Sequence, residues 1–283
     1  MSASMAGFIF NDAFVKLASA DLPTGEILFF RGLFALSMLS LIGFATGNLS
    51  GLTGIRHRVV GWRLVGEVGA TVFYLTALFH MPIANATMIL QAVPLLVTAA
   101  AAIFLGDRVG WRRWIAVGAG FLGVALIVRP GPEGFDIWVL SALAAICFIT
   151  LRDLATRRMP AKLTTFHVTF ATTTAVALLG LAMSPFEDWS APTSRHLMLL
   201  AAAAVFILIG YFFIIAAIRI ADMAVVAPFR YSIVLWALVI GFVVWGDVPD
   251  ALTLIGTAIV IATGVYTFHR ERIAARQAAK KPG

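Results

Sequence analysis

Apolar runs long enough to cross a bilayer recur down this chain, and none shows the alternation of a β-strand. They predict spans at 3–20, 26–46, 60–80, 83–105, 112–129, 136–155, 163–184, 196–218, 223–246 and 251–269. Polar or turn-rich breaks separate them, such as Gly47-Asn48-Leu49-Ser50-Gly51, Pro130-Gly131-Pro132 and the stretch from Pro185 to Ser194. Two connections, His80-Met81-Pro82 and Ile220-Ala221-Asp222, are so short that their neighbours must pack as antiparallel hairpins. Asn11, Asp12 and Lys16 interrupt the first span. Ala18-Ser19-Ala20 resembles a signal-peptide cleavage site, but no basic stretch precedes it and the interruptions fall where the apolar segment should be, so 3–20 reads as a span.

Composition narrows the class. Of the 283 residues, 61% are hydrophobic and 12% charged, and mean hydropathy is +0.95. An ordinary soluble domain carries about twice that charged share, and no water-soluble fold of this size could hide so much apolar side chain. Ten spans of about 20 residues leave no room for a soluble domain. The expectation is therefore an all-α integral membrane protein. The single Cys147 excludes a disulfide framework and a cysteine-based metal centre.

Charge orients the spans. With the N-terminus inside, inner segments hold 16 Lys and Arg, outer segments only Arg129 and Arg195, and Lys16, Arg31 and Arg230 remain within spans. A one-span error would scramble that asymmetry, so both termini are expected in the cytoplasm. The net charge of +7 then needs no nucleic-acid partner, since a basic tail at 270–283 can lie against anionic headgroups.

The chain also repeats itself. A shift of 137 residues sets Leu17-Ala18 on Leu154-Ala155, Pro23 on Pro160, Tyr74 on Tyr211, Ile83-Ala84 on Ile220-Ala221 and Asn85 on Asp222. After a three-residue slip, Gly106-Asp107 meets Gly246-Asp247, and Gly123-Val124 later meets Gly264-Val265. Five spans per copy is an odd number, so the second copy must enter the membrane inverted. Two inverted five-helix copies are an architecture of secondary transporters, with the site near the midplane.

These residues carry a family resemblance. Ile83-Ala84-Asn85-Ala86, Pro94, Leu105-Gly106-Asp107-Arg108 and Gly123-Val124, echoed by Ile220-Ala221-Asp222, Pro228, Gly246-Asp247 and Gly264-Val265, resemble the EamA-type repeat of the drug/metabolite transporter superfamily. The resemblance covers nearly the whole chain, with one repeat at 3–129 and the other at 136–269. It implies a ten-helix bundle in a bacterial inner membrane. It also implies export from the cytoplasm, on the pattern of exporters of aromatic and other neutral amino acids. Two departures stand out. The acidic residue after the repeat glycine is Asp in both copies where the family usually has Glu. Pro228 also falls three residues short of the shifted position of Pro94, which puts the bend of the ninth span at a different depth.

Charge within hydrocarbon is costly and usually faces a cavity or a partner. Asp12 and Lys16 share one helix face, either as an internal ion pair or as groups that meet the ends of a zwitterion. Arg63 and Glu67 repeat that spacing near an inner end, where a structural pair is the favoured reading, and Arg31 near the outer surface reads as a snorkelling anchor. Arg230, after Pro228 and before Tyr231, reads either as a carboxylate holder or as a snorkelling residue. Gln91 beside Pro94 is its counterpart in the first copy, and Tyr74 and Tyr211 are repeat mates suited to an aromatic cargo. His80 is expected at the outer rim and His167 as an interhelical hydrogen-bonder, while Trp236 is a candidate cavity wall. Small residues at four-residue spacing, Ala116-Gly120, Ala119-Gly123 and Ala258-Ala262, mark spans five and ten as a scaffold pair.

Rival functions lack their residues. There is no His-Glu-x-x-His, no Gly-x-Ser-x-Gly and no phosphate-binding Gly loop, and no ring of like charge suggests a channel. No catalytic residue, metal or cofactor is expected. The expectation is a monomeric secondary transporter with an amino acid as cargo, and the alternative is export of other small metabolites or amphipathic drugs.

Overall fold

The computed structural model describes residues 1–47, 57–107, 109–129, 136–160, 164–220 and 227–279. The expected hairpin at 220–222, the turn at 130–132 and the basic residues Arg56, Arg108, Lys162, Lys280 and Lys281 lie partly or wholly outside them. The described residues are helical and contain no strand. In chain order the helices are α1 (Ser2–Ala18), α2 (Thr24–Thr46), α3 (Arg58–His80), α4 (Ile83–Leu90), α5 (Val93–Ala100), α6 (Trp111–Val128), α7 (Ile137–Arg157), α8 (Thr165–Met183), α9 (Ser194–Ile220), α10 (Ser232–Trp245) and α11 (Ala251–Ala279).

Among the described residues, seven helices or helix runs are long and apolar enough to cross a membrane: α2, the run from Ile83 to Leu105, α6, α7, α8, α9 and α11. α1 stops at 17 residues, α3 carries Arg58, Arg63 and Glu67, and α10 is a shorter apolar helix. Leu41, Phe44, Phe212 and Val243 stand exposed on the outside, as a hydrocarbon solvent allows. α11 continues unbroken past 269 to Ala279, so the start of the expected tail is helix.

Two features of the repeat acquire a physical reason. Gly106 and Gly246 both adopt the left-handed conformation, φ 75° and 73°. The amide of the following Asp then reaches six residues back, Asp107 to the Ala101 carbonyl (3.3 Å) and Asp247 to that of Gly241 (3.1 Å). A left-handed residue at a helix end turns the chain out of the helix, and a residue with Cβ adopts that conformation only at a cost. The second feature is the helix break. Pro94 has no N–H to donate to Leu90, so α4 ends there and α5 starts afresh with the proline in its first turn. Under the 137-residue shift, the 3₁₀ turn Ala227–Tyr231 falls on 90–94.

The helices pair as α1 with α9, α3 with α7, α2 with α8 and α6 with α11. Glycine sets how close two of these pairs come. A Cβ on Gly25 would meet the Gly180 carbonyl at 2.9 Å, and one on Gly123 would meet that of Gly256 at 2.8 Å. Backbones this close leave no room for a side chain.

The two ends of the bundle differ. One, here the acidic end, carries Asp21, Glu26, Glu187 and Asp250, and the other, the basic end, carries Arg58, Arg63, Arg152 and Arg157. At the acidic end the segment after α8 folds over the start of α2. Both Glu187 carboxylate oxygens accept the Gly25 amide (3.1 and 2.9 Å), and the Ser190 amide donates to the fully buried Glu26 (3.3 Å). Asp250 caps α11, accepting the Thr253 amide at 3.0 Å and pairing with Arg129. Those hydrogen bonds, from Thr253 first, hold its carboxyl down at about 2.

Candidate functional site

A cavity of about 500 Å³ opens within the bundle, lined from both halves of the chain. Lining residues at the basic end, Thr156 and Arg230, are exposed, so the cavity opens there. Toward the acidic end it stops against a packed layer that includes Val15, Leu78, Ile83 and Leu200, all with no exposed surface. Its volume lies in the range of about 300–1,000 Å³ that holds drug-sized molecules.

The blind end is built around Asn11, which is only 3% exposed. The Asn11 amide donates to Asp12 Oδ1 (2.9 Å), and its carbonyl accepts from Arg31 Nη1 (3.3 Å). Tyr74 donates its hydroxyl to Asp12 Oδ2 at 2.6 Å. Asp12 lies six residues before the end of α1 and Arg31 seven after the start of α2. At about 1.5 Å per residue, both sit roughly 10 Å below the acidic surface.

A second tier stands nearer the mouth. Glu67 receives Arg63 at 3.8 Å and Arg152 at 3.5 Å, Arg152 also binds its neighbour Asp153 at 2.9 Å, and Arg63 donates to Thr172. Gly66 makes this possible. A Cβ there would lie 2.7 Å from the Arg152 amide nitrogen, so α7 can approach α3 closely enough for Glu67 to meet two guanidinium groups.

Of the residues singled out from sequence, Asp12, Tyr74, Gln91, Tyr211, Arg230 and Tyr231 lie on the cavity wall. Gln91 turns its amide back to the Thr87 carbonyl (3.0 Å), and Tyr231 Oη is buried against Gly264 with no hydrogen-bond partner among the described residues. Lys16, His80 and Trp236 lie off the wall. Lys16 does not pair with Asp12. It donates to the Met81 carbonyl and stands 5.3 Å from the Trp245 ring centroid, because its helix carries it a full turn beyond the blind end. His80 stacks on Trp138 (centroids 3.6 Å apart, planes 6° apart) at the exposed end of α3. Trp236, partly buried, packs against the core cluster that includes Ile9 and Ala13. His167 meets Thr164 of its own helix start (2.9 Å).

The expected role of Arg31 as an anchor near the outer surface needs correcting, since it lines the cavity, whereas Arg63 and Glu67 form the expected pair and line the cavity as well. α2 and α8 also contribute to the wall, supplying Arg31, Gly32, Thr172 and Thr173. For Arg31 a sequence signal existed, a cation inside a span with no acid at helical spacing toward the interior. For Arg152 and Asp153 there was none, because only the fold brings α7 against α3.

Comparison with known proteins gives a consistent picture. The model of the EamA-like transporter family matches residues 1–129 and 136–268. The pseudopaline exporter CntI of Pseudomonas aeruginosa is 29% identical, covering 92% of each chain. An S-adenosylmethionine uptake transporter of Rickettsia conorii is 26% identical over 93% of this chain and 88% of its own, and a riboflavin transporter of Vibrio cholerae 25% over 75% and 72%. A crystal structure 20% identical in sequence matches the fold with a TM-score of 0.62, over 95% of this chain and 97% of the other.

Proposed function

Given that this chain belongs to the EamA-like transporter family, we propose that it is a secondary transporter exporting neutral amino acids, aromatic ones included, by alternating access. On this reading ten spans form two inverted five-helix halves, 3–129 and 136–269, followed by a basic tail at 270–283. Both termini are cytoplasmic, in a bacterial inner membrane, and the chain works as a monomer. The pairing of α1 with α9 and α3 with α7, with α2 on α8 and α6 on α11, supports the two halves, because exchanging them maps each pairing onto another or onto itself.

The observation that carries the proposal is the cavity, which is blind at the acidic end, open at the basic end and lined by charges of both signs. Lys and Arg favour the cytoplasmic side, so the open end receives cargo from the cytoplasm. Opposite charges suit a zwitterion, and Phe8, Leu75, Ile207 and Phe268 offer an apolar wall.

The cavity volume favours a second reading. About 500 Å³ exceeds what one amino acid fills, and the relatives carry larger cargo by name, so a bigger amphipathic metabolite is the alternative.

The test uses purified protein in liposomes, with labelled phenylalanine, threonine and a cationic dye. Amino-acid movement that unlabelled neutral amino acids compete against supports the first reading. Movement of the dye alone refutes it in favour of the second.

A further inference from the structure

We propose that Arg31 is the group that reads the carboxylate of the cargo, so that the transported molecule must carry one. This rests on the reading of the cavity as the cargo site and adds the chemical class that the site selects.

The cavity's charges separate into spent and unspent groups. Arg63 and Arg152 share Glu67, Arg152 also holds Asp153, and Arg63 binds Thr172. Arg230 stands exposed at the mouth. Among the described residues, Arg31 has a single hydrogen bond, the 3.3 Å contact from Nη1 to Asn11, although a guanidinium has five N–H donors. It is also the cation at the blind end, beside the buried Asn11.

The second observation is a separation. Asp12 and Arg31 are opposite charges serving the same small amide, and among the described residues no ion pair joins them. In a low-dielectric interior such groups gain by direct contact. Here Asn11 stands between them, and its buried position on α1 keeps it there. Asp12 is well supplied, with the Tyr74 hydroxyl on one oxygen and the Asn11 amide on the other. Arg31 is not. A fork of donors facing a cavity accepts a planar carboxylate on two bonds, and the donors left over by Asn11 suit that geometry. Asp12 then faces the cationic end of the same molecule.

The test is uptake into proteoliposomes by the full chain, wild type, Arg31→Gln and Arg31→Lys. The solutes are phenylalanine, phenylalaninamide, phenethylamine and riboflavin, of which only the first has a carboxylate. The wild type should prefer phenylalanine to its amide about tenfold or more. Arg31→Gln should raise KM for phenylalanine about 10- to 100-fold, the worth of a charge-assisted hydrogen bond, with kcat and the other solutes little changed. Arg31→Lys should recover part of the loss.

An unchanged KM for phenylalanine in Arg31→Gln overturns the assignment, as does an equal loss for every solute, which marks a structural role. Movement of riboflavin or the amide without phenylalanine leaves a transporter but overturns the carboxylate requirement. If none of the four moves, thermal stabilisation of the purified wild type by a panel of carboxylic acids against their amides decides. Acid-selective stabilisation lost in Arg31→Gln supports the assignment although phenylalanine is not cargo. Stabilisation without acid selectivity, or by neither set, overturns it.

Discussion

Lys16 ties together the closed end of the bundle, and replacing it should open that end measurably. Its ammonium donates to the Met81 carbonyl, between α3 and α4, and lies 5.3 Å from the centroid of Trp245, the last residue of α10. A hydrogen bond from a charged donor is worth about 1.5–3 kcal/mol net, and a cation–π contact about 0.5–1. Lys16→Met should therefore remove about 2–4 kcal/mol from the closed arrangement. At about 1.4 kcal/mol per tenfold, the open fraction rises roughly 30- to several-hundred-fold. The reporter is a cysteine at Leu78, which is fully buried in the layer sealing the cavity, in a background with Cys147→Ser. Its rate of reaction with a membrane-impermeant maleimide, added from the acidic side, follows the open fraction. The Lys16→Met variant should react at least about 30-fold faster, and Lys16→Arg, which keeps the charge, far less so. Equal rates in wild type and Lys16→Met, or equal acceleration by Met and Arg, would refute the reasoning.

Other substitutions probe the remaining contacts. Gly123→Leu should lower the detergent melting temperature, at a cost of about 1–3 kcal/mol for overpacking, because its Cβ meets the Gly256 carbonyl at 2.8 Å, whereas Gly118→Leu, with nothing within 4 Å, should melt near wild type. Glu67→Gln leaves Arg63 and Arg152 without their shared carboxylate and should cost about 1–3 kcal/mol. A double-mutant cycle with Arg152→Met should then show coupling, and strict additivity would mean that the 3.5 Å pair contributes nothing. Asp250 titrates at about 2 in the folded protein and near 4 when unfolded. Its stabilisation is complete above about pH 4 and fades as pH falls toward 2, so the melting difference between wild type and Asp250→Asn should be flat above pH 4 and shrink below it.

Much of the fold is legible in sequence because a bilayer leaves little choice. Apolar runs of spanning length can only be helices there, and Gly106-Asp107 and Gly246-Asp247 end helices through a backbone conformation that other residues resist. The site is less legible. Helical spacing correctly puts Asp12 and Lys16 on one side of α1, yet four residues of rise separate a cavity floor from a surface seal. Arg63 and Glu67 look like a local pair until α7 brings Arg152, an event decided by Gly66 and the α7 backbone opposite it. Asn11, which interrupts the first span, shows its importance only when Arg31 arrives from the next helix.

The crossings at Gly25 with Gly180 and at Gly123 with Gly256 have a mechanical consequence. They set main chain directly against main chain, so fewer side chains need repacking when one helix rolls on the other. Such a contact resists separation but allows turning, which is the behaviour of a bearing. Both bearings lie within five residues of helix ends at the acidic side, so turning about them swings the basic end through the larger arc. The width of the open mouth at the basic end can then change while the packed layer at the acidic end stays closed.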